Sequence, residues 1–349
     1  MSFSLSRVRR RALTLSAIAA TAVLALGGCS AAEKEPAAAA PAKTESTAFP
    51  VTVDSALGQA TIPEAPKRIV TLGQGSTETV IALGQIPVGI ESYAWGSDKT
   101  GYLPWIHEAV TKAGGTLPKQ FDGGEDIDYD TIVELDPDLI LAPWSGITQE
   151  QYDILKDIAP TVAYPGLPWS TKWDEQIKIV AKAMGRSADG ENLIAQVRKQ
   201  LADAAASRPQ YKGVTFSYIY TSGPGTLGVF KPEEQRVEMV SSLGLTVDPV
   251  VNSFEETKGT ASALIGLENA QKLEGSDLLF TFYTDEKTRK EIEAQKLYAA
   301  IPAVKRGGVV ASDDTSFVTA SSIINPLTVP WVIDRYLPLI DKAVATIDR

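Results

Sequence analysis

The chain has 349 residues, 44% of them hydrophobic, and a formal net charge of -10. That length and bulk allow a sizeable core and two structural units, which excludes a disordered chain. The acidic balance excludes nucleic acid as a partner and leaves the surface no attraction for anionic lipid.

The chain opens with Arg7, Arg9, Arg10 and Arg11, followed by an apolar, uncharged run over 12–26. These are the basic and apolar regions of a secretory signal, and the run is shorter than the roughly 20 residues of a spanning helix. It ends in Leu24-Ala25-Leu26-Gly27-Gly28-Cys29-Ser30, which looks like a lipobox: small residues admit a peptidase and the thiol accepts an acyl chain. The expectation is a signal peptide over 1–28 and a lipid anchor on Cys29, on the extracytoplasmic face of a cell membrane. A tether is needed most where no outer membrane retains the protein, which favours a single-membrane bacterium. Cys29 is the one cysteine, so no disulfide can form and stability must come from the core. Removing 1–28 takes away four arginines and no acids, leaving the mature part at -14. Residues 29–47 are rich in Ala, Pro, Lys and Glu without an aromatic, the composition of a flexible tether.

The body begins at about residue 48. A hairpin is predicted over 49–63, turning at Leu57-Gly58-Gln59, then a strand over 68–72, a Gly-rich turn and a helix over 79–83. Further strands fall at 88–90, 138–142 and 162–164, with a helix over 128–135. Short strands apolar on both faces, alternating with helices, indicate a mostly parallel sheet covered on both sides. Helical spacing then runs over 173–184 and over 189–207, stopping at Ser207-Arg208-Pro209. The alternation restarts with a strand over 214–220, helices over 236–243 and 267–273, a strand over 277–282, a helix over 288–297, a strand at 309–310 and a terminal helix from Pro330. The predicted fold is α/β: two Rossmann-like lobes, 48–186 and 209–349, joined by a spine helix over 187–208.

His107 is the only histidine, so neither a His-based nucleophile triad nor an imidazole metal cluster can be built. It stands beside Glu108 in what reads as a Trp-rich loop. Gly73-Gln74-Gly75 invites a dinucleotide reading, but Glu78 replaces the third glycine and its carboxylate would repel a pyrophosphate. The chain is therefore read as a non-enzyme without cofactor or directly bound metal. Tyr93, Trp95, Trp144, Trp169 and Trp173 follow strand carboxyl ends, the edge where open α/β sheets bind ligands. Tyr220, Phe230, Arg236, Tyr283 and Phe317 take comparable places in the second lobe. Together they predict an aromatic cleft.

From about Val51 onward the sequence resembles the substrate-binding lipoproteins of ABC importers for ferric siderophores, haem and cobalamin. The resemblance rests on Pro66-Lys67-Arg68-Ile69-Val70-Thr71-Leu72 leading to Ser76-Thr77-Glu78, then Ala82-Leu83-Gly84 and Pro87-Val88-Gly89. It continues in Ile132-Val133-Glu134-Leu135-Asp136-Pro137-Asp138-Leu139-Ile140, Glu268-Asn269, and Ile301-Pro302-Ala303-Val304 before Gly307-Gly308-Val309. It implies ligand held between two lobes with only small closing motion, and an acid on each lobe that docks on permease arginines; the chain is expected to be a monomer. Asp130, where the family commonly has Glu, and Glu268 hold those positions. Among the candidate ligand residues only Arg236 is basic, which suits a ferric hydroxamate or mixed siderophore better than a tri-anionic complex. Haem or cobalamin, or a surface interaction or sensory role on the same fold, are the alternatives. Haem would ask for an axial ligand such as Tyr93, Tyr220 or Tyr283.

Overall fold

The computed structural model describes residues 49–347, apart from 222 and 259. The expected signal segment, Cys29 and the tether lie outside the described residues. Strands β1 (Val51–Asp54) and β2 (Gln59–Ile62) form the entrance hairpin, pairing Val51 with Ile62. Their burial alternates, so Val51, Val53, Ala60 and Ile62 face the core and the residues between face water.

The first lobe follows as β3 (Ile69–Thr71), α1 (Ser76–Ala82), β4 (Gly89–Glu91), α2 (Pro104–Lys112), β5 (Lys119–Phe121), α3 (Tyr129–Glu134), β6 (Leu139–Leu141), α4 (Gln149–Ile158), β7 (Thr161–Val162) and α5 (Trp173–Ala183). Its five strands are all parallel, in the order β5-β4-β3-β6-β7. Because helices cover both faces, Ile69, Val70, Leu139, Ile140 and Leu141 are fully buried.

Helix α6 (Ser187–Ala206) leads to the second lobe; its 20 residues span about 30 Å. Ile194, Val197, Leu201 and Ala204 form its buried stripe, and Pro209 lies beyond its end, as the sequence predicts. The second lobe contains β8 (Thr215–Tyr220), β9 (Gly228–Phe230), α7 (Gln235–Ser242), β10 (Thr246–Val247), β11 (Ser262–Leu264), β12 (Leu278–Phe282), α8 (Glu286–Glu293), α9 (Lys296–Ala299), α10 (Pro302–Lys305), β13 (Val309–Ser312), α11 (Thr315–Ser321) and α12 (Thr328–Val344). Strands β10, β8, β12 and β13 are parallel neighbours, while β9 and β11 extend the carboxyl half of β8 in antiparallel fashion.

Three predicted elements differ from the structure. Residues 267–273 form a 3-10 helix with bonds from Asn269 N to Gly266 O and from Glu274 N to Gln271 O, both 3.1 Å. The helix predicted over 288–297 is two helices, separated where Gln295 turns its side-chain oxygen to Gly225 N at 2.8 Å. His107 sits on α2 rather than in a loop, because Pro104 at the first turn starts a helix that buries Trp105, Ile106 and Val110.

One apolar cluster crosses from lobe to lobe: Ile90, Leu103, Trp105 and Ile106 join Trp173 and Ile177, then Phe216, Phe280, Val329 and Tyr336. Trp105 meets Trp331 of α12 edge-on at 5.5 Å. The Trp173 Nε1 donates to Glu238 of α7 at 2.7 Å, and Ser316 Oγ donates to the Gly96 carbonyl at 2.9 Å. A shared core of this kind restrains relative lobe motion far more than a polar hinge would.

Candidate ligand-binding site

In the first sheet the chain lays β4 and β5 on one side of β3 and then crosses to place β6 and β7 on the other. The loops after β3 and β6 therefore diverge, which opens a crevice at the carboxyl ends of those strands. Gly73 and Trp144 meet there: a Cβ on Gly73 would stand 1.9 Å from the Trp144 carbonyl oxygen, and Gly73 has φ +72°. Only glycine permits that approach.

The Gly-rich turn is filled by the protein itself. Glu78 is buried and accepts from Gly75 N at 3.0 Å and from Trp105 Nε1 at 2.8 Å. The Gln176 amide donates to Gln74 O at 2.5 Å and to Ser76 Oγ at 3.3 Å, and a Cβ on Gly75 would collide with that amide. The start of α1 is thereby closed by protein groups, and Glu78 serves as the staple of the turn.

Around the crevice Trp144 and Trp169 stand edge to face, with ring centroids 4.9 Å apart. Trp169 is 48% exposed and its indole lies on Gly146, where a Cβ would meet Nε1 at 2.4 Å. Beside it opens a cavity of about 510 Å³ whose lining includes Leu72, Glu91, Ser145, Glu150, Gln151 and Trp169. Trp95, 46% exposed, lies on the loop that Gly96 ties to α11. Tyr93 points its buried hydroxyl toward Glu91 without a hydrogen bond of ordinary geometry; burial first, then the Glu91 and Glu78 carboxylates, holds its pKa well up.

In the second sheet the corresponding divergence falls between β8 and β12. Tyr220 packs on Phe230 at 4.8 Å and bonds Ser262 Oγ at 3.2 Å. Arg236, in the first turn of α7, lies over Phe230 at 4.9 Å and Phe282 at 5.6 Å and forms an ion pair with Glu234. Sequence reasoning missed Phe282, although period two finds it. Phe280 pairs with Tyr218, so the residue two further along β12 shares the face of Tyr220.

Three expected ligand residues are core residues in the structure. Tyr283 is 1% exposed with its hydroxyl on Tyr298 at 3.1 Å, because one step past Phe282 turns it to the opposite face. Phe317 is buried edge-on to Tyr336 at 5.2 Å. Trp173 is 4% exposed and spends its indole N–H on Glu238. Asp130 and Glu268 are exposed at the starts of α3 and of the 3-10 segment. His107 is half-buried, 6.4 Å from the Tyr102 ring. Among the described residues no group of three or more His, Cys, Asp or Glu is placed to hold a metal ion, and no helix is long and apolar enough to cross a membrane.

Burial raises the pKa of Glu78, Glu91 and Glu234 above the ordinary 4.5, against hydrogen bonds that pull the other way. A carboxyl whose folded pKa is raised contributes stability that is complete below the unfolded value and lost as pH climbs through the folded one. Each of the three should therefore contribute a decline in stability as pH rises above about 4.5. Urea titrations across that range should show a shallower decline in Glu91→Gln; an unchanged slope would remove Glu91 from this group.

The fold and the crevices define a two-lobed solute receptor whose lobes share one core. A family model described as periplasmic binding protein matches residues 69–315, and the chain belongs to that family. It is 28% identical over 296 residues to a protein of Bacillus subtilis (strain 168) named "Probable siderophore-binding lipoprotein YfiY", covering 78% of this chain and 83% of that one. The structure of Streptococcus pneumoniae TIGR4 PiaA in complex with ferrichrome superposes with a TM-score of 0.77 at 29% identity, covering 85% of this chain and 100% of that one. A periplasmic solute binding protein from Mycobacterium smegmatis gives a TM-score of 0.72 at 26% identity, over 84% and 98% of the two chains.

Proposed function

We propose that this chain is a non-enzymatic extracytoplasmic receptor that takes a ferric siderophore of hydroxamate or mixed type between its lobes and passes it to an ABC permease. The observation that carries this reading is a set of partly exposed rings, Trp144 and Trp169 at the first-lobe divergence with Trp95 on the loop after β4, and Tyr220 and Phe230 at the second-lobe divergence, with Arg236 as the cation among them. Large rings contribute apolar area to the shell of a bulky complex, and one guanidinium meets its oxygens. The iron is cargo, enclosed by its own chelator, so the protein needs no ligating side chains.

Haem is the weaker reading. Tyr93 holds its hydroxyl buried inside the protein, and the Tyr220 and Tyr283 hydroxyls are bonded to Ser262 and Tyr298. Cys29 would carry the acyl anchor, 29–47 the tether, and Asp130 and Glu268 the permease contacts, with the lobes at 48–186 and 209–349. Tethering raises the receptor's effective concentration beside its permease. Titration of the mature chain with ferrichrome, ferrioxamine B, ferric dicitrate, haem and cobalamin should give saturable quenching of tryptophan emission with a ferric hydroxamate. Absence of quenching by every member of that panel would end the proposal.

A further inference from the structure

Arg236 does not face a ligand as a bare cation. Its guanidinium NH1 is paired with the Glu234 carboxylate, and the other Glu234 oxygen accepts from the Arg236 backbone N–H at 2.8 Å. Glu234 is also the residue that caps α7. The Arg236 guanidinium of the pair lies over the Phe230 and Phe282 rings, with 25% of the Arg236 side chain and 15% of the Glu234 side chain left open. The neighbouring Lys231 is committed elsewhere: its amine donates to the Val251 and Phe254 carbonyls at 3.0 and 2.8 Å. At the first-lobe cavity the charged lining groups are Glu91, Glu125 and Glu150.

We infer that Glu234 is a specificity-determining residue: by cancelling the Arg236 charge at close range it makes the groove discriminate against ferric complexes of net negative charge and in favour of neutral ones. The inference rests on the ferric-siderophore reading above. The physical basis is that a neutral, preformed ion pair offers hydrogen bonds to ligand oxygens but little long-range attraction. A bare guanidinium in the same half-desolvated place would favour an anion strongly. Glu234 acts through Arg236, so it is a positioning residue whose signature is a change of preference between ligands rather than a general loss.

The test measures affinities for ferrichrome, a neutral trihydroxamate, and for the anionic ferric dicitrate, by tryptophan quenching. In Glu234→Gln, which keeps an acceptor for the Arg236 N–H, the affinity for ferric dicitrate relative to ferrichrome should rise about tenfold or more. In the double variant Glu234→Gln/Arg236→Gln, neutral again, that ratio should fall back toward the wild-type value. Should glutamine be poorly tolerated, Glu234→Ser retains a good helix cap and asks the same question. A ratio unmoved by either substitution, with both complexes still bound, overturns the inference and leaves the siderophore reading standing. If the wild-type chain binds no ferric complex at all, both fall together.

Discussion

Replacing Trp105 by alanine should cost about 3–5 kcal/mol of folding stability. The side chain is buried between the lobes, 5.5 Å from Trp331, and its N–H is one of two donors that satisfy the Glu78 carboxylate. Removal opens a cavity in the apolar cluster both lobes share and strips a buried acid of a partner. Those effects add at one place, and the turn after β3 should loosen with them. Trp105→Phe separates the two: most of the volume stays while the hydrogen bond is lost, so a smaller cost of about 1–3 kcal/mol is expected. Urea denaturation of the three proteins measures both steps. A loss below about 1 kcal/mol for the alanine variant would mean that the lobes do not depend on this contact.

Gly73→Ala should be the most damaging small change in the ligand crevice. Two costs coincide at this position. A left-handed φ of +72° costs an alanine about 1–2 kcal/mol, and a Cβ 1.9 Å from the Trp144 carbonyl oxygen forces the β3 and β6 loops apart. Gly84 is the control, since it has φ +85° and nothing within 4 Å of a built Cβ. Gly84→Ala should pay the backbone cost alone, whereas Gly73→Ala should lose about 2–4 kcal/mol and at least about tenfold in affinity for a ferric hydroxamate, because Trp144 and Ser145 move with the loop. Melting curves and quenching titrations on the pair give the comparison. Equal losses in the two variants would show that the close approach at the crevice carries no energy.

The rim residues differ in how they could be found from the sequence. Trp95, Trp144 and Trp169 lie just past strands that announce themselves as apolar runs, so counting from the strand ends places them at the rim. Phe282 and Tyr283 show the limit of that counting. The two are adjacent, both aromatic and both at a strand end, yet one lies under Arg236 and the other bonds Tyr298 in the core. Strand register settles which is which, and register needs the partner strand. Strand β5 went unpredicted for a related reason. Lys119-Gln120-Phe121 buries only Phe121, so it does not carry the apolar pattern that marks an element in isolation.

What the sequence determined by itself is whatever depends on local order. The alternation of strands and helices, the 20-residue spine ended by proline, the glycines of the first turn and the absence of His and Cys clusters all follow from residue type and spacing. Only the tertiary structure decided how charges and rings far apart in the chain are used. Glu78 would repel a phosphate if the turn stood alone, but with Trp105 and Gln176 folded onto that turn it becomes the staple that closes it. Trp173 became a link to Glu238, and Arg236, basic in the sequence, became half of a neutral pair with its guanidinium over two phenylalanines. The reason is common to all three: a side chain's charge and hydrogen-bonding capacity are local properties, whereas what remains of them for a ligand depends on which partners the fold has already brought within reach.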